Sequence, residues 1–145
     1  MCLITYQEKS TEVKEEMFVY KVMCVHNDGV WNSPYQGMEY IRDVLFEERC
    51  FGSGAEAKWS ETSHKFVYRV HKGLHAYTSA EVAAKTCIYL NESSRRVAAT
   101  YTYCVVKCRV PAKARQFISI SGREICVNKL TPLCIVRWND DEGIV

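Results

Sequence analysis

The stretch Lys72-Gly-Leu-His-Ala-Tyr-Thr-Ser-Ala-Glu-Val-Ala-Ala-Lys85 sets an imidazole and a phenol two residues apart, just after a glycine. On an extended segment that spacing turns His75 and Tyr77 to the same side. An imidazole donates, accepts or takes a proton near neutral pH, and a phenol ring can stack on a base or on a nicotinamide ring. One reading of this turn is the wall of a ligand site carried on a rigid scaffold. The other is structural: His75 bonds a loop carbonyl and Tyr77 packs on the following helix.

Ser33-Pro-Tyr35 with Tyr40 forms a second group. Nine tyrosines and three tryptophans give the chain many flat surfaces for stacking, although buried aromatics mostly serve the core. Eight cysteines suggest a disulfide set or a metal centre at first sight. Several fall inside apolar periodic runs, where a free thiol acts as a small hydrophobe. There is no Cys-x-x-Cys, and His64, His71 and His75 hold no ligand spacing to any cysteine pair. Cys104 and Cys108 share a strand face but stand too far apart to share a metal. Reduced structural thiols are the expectation, with zinc as the competing reading.

No Gly-x-Ser-x-Gly, P-loop, dinucleotide glycine motif or His-Glu-x-x-His occurs. No cysteine has a neighbouring histidine to activate it, which argues against a thiol protease.

The elements that must hold these groups follow from periodicity. At 145 residues, 48% hydrophobic and 25% charged, the chain is expected to form one domain spanning residues 1–145. Residues 7–16 are polar and read as a mobile lead-in. Residues 17–26 are rich in β-formers and predict a buried strand ending at the Asn27-Asp-Gly29 turn. Residues 30–35 run extended up to proline. Residues 40–49 fit either a helix or bent strands. Phe51-Gly-Ser-Gly-Ala-Glu-Ala57 reads as a flexible loop, and residues 64–70 as a strand.

One helix is expected over residues 79–90. Thr78 and Glu81 have the form of a capping box, and Val82, Ala83, Thr86, Cys87 and Leu90 form the apolar stripe. Asn91-Glu-Ser-Ser94 should end it. Residues 96–110 predict a central strand, apolar on both faces, closed by Pro111. Residues 116–120 and 124–136 predict two more. The fold class is α+β, a mostly antiparallel sheet with one helix.

Net charge is +2, which gives no general electrostatic drive toward nucleic acid. Arg95-Arg96 and Lys107-Cys-Arg109 remain as local basic clusters. The start of the chain lacks signal-peptide features and no apolar run is long enough to cross a bilayer, so a cytoplasmic location without membrane contact is expected.

Met1-Cys-Leu3, Tyr20-Lys-Val22, Ser33-Pro-Tyr35, Gly73-Leu-His-Ala76 and Val106-Lys-Cys-Arg-Val-Pro111 together span most of the chain. In them the chain resembles uncharacterised small proteins of gut bacteria and their phages. That resemblance implies a phage or mobile-element setting inside a bacterial host cell and no particular activity.

Residues 73–84, Val105 to Pro111 and Glu124-Ile-Cys-Val127 are also similar to the glycine–aromatic–helix, strand and late glutamate segments of ADP-ribosyltransferase-like domains. That resemblance implies a degenerate fold of this type, with Tyr77 stacking a nicotinamide and Glu124 orienting a ribose. The chain departs from the pattern at its first strand, where Tyr20-Lys-Val22 offers only Lys21 in place of histidine or arginine.

The expectation is therefore a non-enzymatic counter-defence protein that sequesters a nucleotide-like ligand or blocks a host defence protein. Its ligand wall would be His75 and Tyr77 facing Ser33, Tyr35, Tyr40 and Glu124. The rivals are an NAD-dependent ADP-ribosyltransferase using Tyr77 and Glu124, the only reading that needs NAD, and a protein–protein interaction module docking through exposed aromatics. The ligand's identity, the host target and the oligomeric state stay open.

Overall fold

The computed structural model describes residues 3–25, 31–33, 38–52, 56–96, 102–136, 138–139 and 143–144. In chain order the first elements are β1 (Leu3–Thr5), β2 (Thr11–Glu12), β3 (Met17–Val25), β4 (Trp31–Asn32), β5 (Glu39–Tyr40) and β6 (Phe46–Glu47). Next come β7 (Glu56–Ser60), β8 (Lys65–Val70), β9 (Leu74–Tyr77), α1 (Ala80–Arg96) and β10 (Thr102–Val110). The last are β11 (Arg115–Ile118), β12 (Glu124–Val127), β13 (Lys129–Val136), β14 (Trp138–Asn139) and β15 (Gly143–Ile144). Every described strand pair is antiparallel and α1 is the one described helix, so the fold is α+β.

The main sheet runs β2-β11-β12-β9-β3-β10-β13-β6, with β4 and β5 joined to β3. Only Asn128 separates β12 from β13, yet the two flank the β9-β3-β10 trio on opposite sides. Residues 124–136 thus pair with β9 in their first half and with β10 in their second. This curls the sheet round on itself. Val13 and Ala114 from one end meet Leu130 and Phe46 from the other, around Val19, Met23, Val106 and Cys108.

On the outer face α1 lays Ala83, Ala84 and Cys87 over Val22, Tyr77 and Val105, an apolar stripe at helical spacing. Farther along the same face a second, three-stranded sheet, β1-β8-β7, covers Phe117 and Cys126 with Leu3 and Val70. β10 is central and apolar on both sides, with Val105 facing the helix and Val106, Cys108 and Val110 facing inward.

Several local expectations are corrected. The 7–16 segment is tied down: β2 pairs with β11, Val13 is buried, and its N–H donates to Ala114 O at 2.8 Å. One valine supplies the anchor and polar neighbours serve the adjoining strand, Gln7 Oε1 accepting from Ile118 N at 2.7 Å. The helix runs six residues past position 90, because Asn91 does not compete with the helix backbone. Its side chain instead brackets Tyr103, accepting from that N–H at 2.9 Å and donating to its carbonyl at 3.2 Å.

The cap is Ser79, whose Oγ accepts from Val82 N at 3.3 Å. Thr78 is drawn away to the neighbouring hairpin, where it donates to Gly122 O at 2.8 Å. Residues 40–49 are not helical; they hold the end of β5, a turn and β6. Glu56 and Ala57, read as loop, open β7. The Asn27-Asp-Gly29 turn lies outside the described residues. Among the described residues no helix is long and apolar enough to cross a membrane.

Candidate functional site

β3 alternates strictly, so Lys21 enters the sheet interior on the same face as Val19 and Met23. It is fully buried, its Nζ donates to the His75 carbonyl, and it lies 5.3 Å from the centroid of the Tyr40 ring. The two ion pairs seen among the described residues, Arg42–Asp43 and Lys129–Glu47, do not involve it. Burial pulls the amine down from 10.5 to about 8, against an opposing pull from Cys108 and Cys126. Lys21 therefore carries its charge at neutral pH with no described carboxylate to balance it. Holding it there costs the fold about 3 kcal/mol.

Two further buried polar atoms are unsatisfied. The Tyr40 hydroxyl is buried without a hydrogen-bond partner, and burial, then Cys108 and Glu48, push its ionisation well above the usual phenol range. His75 bonds the His71 carbonyl through Nε2 at 3.1 Å, so that nitrogen carries the proton. Its Nδ1 is then a buried acceptor without a donor. Burial is the main cause of the lowered His75 pKa, so the ring is neutral. Each such orphaned group costs roughly 1–3 kcal/mol.

A cavity of about 350 Å³ is lined by Met38, Glu48, His71, Lys72 and Gly73. Met38 precedes Tyr40 by two residues and Gly73 precedes His75 by two, so the lining and the buried cluster belong to the same chain segments. Gly73 is obligatory: a Cβ there would stand 2.1 Å from Cys126 Sγ and 3.1 Å from Phe51. Cys126 lies 3.9 Å from His75 Nε2. Burial raises Cys108 and Cys126 to about 12, so both are protonated thiols and neither is a ready nucleophile. None of the seven described cysteines is in a disulfide, and no cluster that could hold a metal occurs among the described residues.

The residues nominated from sequence divide into two groups. Lys21 lies 5.3 Å from the Tyr40 ring centroid and donates to the backbone carbonyl of His75, while the His75 ring lies on the other face of β9, against Cys126. Ser33 is buried, its N–H donating to Met38 O at 2.9 Å. Tyr77 and Glu124 face each other across β9 and β12, away from that cluster. The Tyr77 ring is packed under α1 against Ala83, Ala84 and Cys87. Glu124 is half-buried and its N–H donates to Ser119 Oγ at 3.1 Å. Tyr35 lies outside the described residues.

Searches of protein-family models, of curated proteins and of solved structures find no match to this chain. Function must be argued from the site alone. Lys21, Glu48, His71 and Lys72 were not nominated from sequence. Lys21 had a visible signal, since a lysine in Val19-Tyr-Lys-Val-Met23 alternates onto an apolar face. The other three come together only once β6 and the 71–73 turn are set side by side.

An ammonium and a phenol donor seek an acceptor, the Nδ1 lone pair seeks a donor, and Glu48 and Lys72 place opposite charges at the cavity.

Proposed function

We propose that this chain is a non-enzymatic binding protein that sequesters a small nucleotide-like ligand in the cavity lined by Met38, Glu48, His71, Lys72 and Gly73. The supporting observation is the buried Lys21 ammonium, which has no described carboxylate partner and lies 5.3 Å from the centroid of the Tyr40 ring, whose hydroxyl is unbonded, Tyr40 being two residues from Met38 in the cavity lining. An anionic group on the ligand answers the ammonium and the phenol. A ring nitrogen or amino group answers Glu48.

The cavity volume falls at the lower end of small-ligand sites. That favours a mononucleotide or nucleobase over a dinucleotide. It also weighs against the transferase reading, in which Tyr77 would have to leave its packing under α1 to meet NAD. The resemblance to phage proteins supports a counter-defence setting, in which removing a nucleotide signal disarms the host.

Thermal-shift and calorimetric titration with AMP, cyclic mononucleotides, ADP-ribose and NAD test this reading. A ligand that binds only the folded state raises its stability. The expected result is a shift with one mononucleotide, lost in Lys72→Glu and in Lys21→Met. No shift with any of these compounds, or one that both variants retain, overturns it.

A further inference from the structure

Strands β7 and β8 form a ribbon joined to the rest of the molecule through β1, on the far side of β8 from β7. β7 pairs only with β8 among the described residues, so its outer edge presents unpaired backbone donors and acceptors. Both faces of the ribbon are open. Glu56, Ala57, Lys58 and Trp59 are all exposed, as are Lys65, Phe66 and Arg69. A two-stranded ribbon in water on both sides is marginal alone, and a cross-strand aromatic pair supports it by at most about 1 kcal/mol while leaving the rings in water. Yet Trp59 and Phe66 are cross-strand partners with ring centroids 5.2 Å apart, 45% and 53% exposed.

The other face has a different chemistry. Register puts Lys58 beside Val67 and Glu56 beside Arg69, with Lys65 on the same side. Ile4, Lys58, Val67 and Arg69 help line a groove of about 350 Å³ there. Between positions 56 and 70, three lysines and arginines outnumber two glutamates.

We propose that the β7 edge is a docking site for an extended, acidic segment of another protein, which adds as a further antiparallel or parallel strand. Its backbone pairs with residues 56–60. Alternate side chains fall on opposite faces, so apolar residues cover Trp59 and Phe66 while acidic residues meet Lys58, Lys65 and Arg69. The split between faces favours a peptide over single-stranded nucleic acid. A nucleic-acid platform sets basic groups beside its stacking rings so that phosphates and bases are held together. This site is separate from the cavity at Gly73 and stands without it.

The test is titration of the full chain with a short peptide alternating glutamate and valine, its sequence-scrambled isomer and oligodeoxythymidylate. Trp59 fluorescence and backbone amide shifts are the readouts. The alternating peptide is expected to bind, to shift the amides of residues 56–60 and to weaken with salt. Lys58→Glu with Arg69→Glu should weaken it about tenfold or more, as should Trp59→Ser, with unchanged melting temperature showing that each variant is folded. Failure of the alternating peptide to bind, equal binding of the scrambled isomer, tighter binding of oligodeoxythymidylate, or binding that leaves the β7 amides unmoved overturns the proposal.

Discussion

The sheet interior around Lys21 and the β7–β8 ribbon break the same rule in opposite directions. The interior holds a charge and an unbonded hydroxyl where apolar atoms would be cheaper. The ribbon holds two aromatic rings where water would favour polar groups. Neither arrangement stabilises the folded chain by itself. The first is a cost carried inside a well-packed shell, and the second leaves apolar area unburied on an open edge. A cost borne in the core needs an occupant small enough to enter a cavity; one borne at an edge needs an occupant long enough to lie along a strand.

The largest expected effect separates packing from polarity in the interior. Gly73→Ala should destabilise by at least about 3 kcal/mol, since its Cβ would overlap the Cys126 sulfur. Adding Cys126→Ala should return part of that loss in a double-mutant cycle measured by denaturant unfolding. A purely additive pair would mean that the sulfur is not what the glycine avoids.

Lys21→Met comes next and has the opposite sign. It should stabilise by about 2 kcal/mol at pH 7, somewhat less than the cost of burying the charge, because the bond to the His75 carbonyl is lost too. The difference should depend on pH. Between about 8 in the fold and 10.5 in the unfolded chain, the unfolded state binds more protons at Lys21, so stability rises with pH from about 8. Cys104, Cys108 and Cys126 act the other way, each raised from 9.0 to about 12. As pH rises toward 9 and beyond, the unfolded thiols lose protons first and stability falls. The native profile should therefore crest between pH 8 and 9, while Lys21→Met shows no rise and declines from about pH 8. Identical profiles would show that the amine is not buried as described.

His75 should give a smaller effect at acid pH. Its pKa is lowered in the fold, so stability should decline as pH drops below the unfolded value of 6.5. His75→Gln should remove that decline in acid-unfolding curves. The smallest effect belongs to the ribbon: Trp59→Ser should change stability by no more than about 1 kcal/mol, the scale of one cross-strand aromatic pair, since half-exposed aromatics there support no core. A loss comparable to an interior substitution would make the ribbon structural and erase the contrast.

Much of the scaffold was legible in the chain itself. The alternation in β3 and β10 and the helical stripe of α1 follow from residue types at fixed periods, and local physics decides them. Boundaries were less legible, because Asn91 and Thr78 have their roles set by strands distant in sequence. β1 and β7 gave weak signals, being short and stabilised by pairing with β8. The candidate site divided in the same way. His75 and Tyr40 carry recognisable side chains, but what links their strands is a lysine that lies by the Tyr40 ring and bonds the His75 backbone carbonyl, and its burial depends on the sheet curling. Tyr77 met its structural reading, packing on the helix.

The most direct test of the account is an NMR pH titration of the Lys21 side-chain amine, free and with the mononucleotide that gives the thermal shift. The account predicts a value near 8 in the free protein, moving upward when an anionic ligand occupies the neighbouring cavity. An ordinary value near 10.5 in the free protein, or one unmoved by the bound ligand, would contradict it.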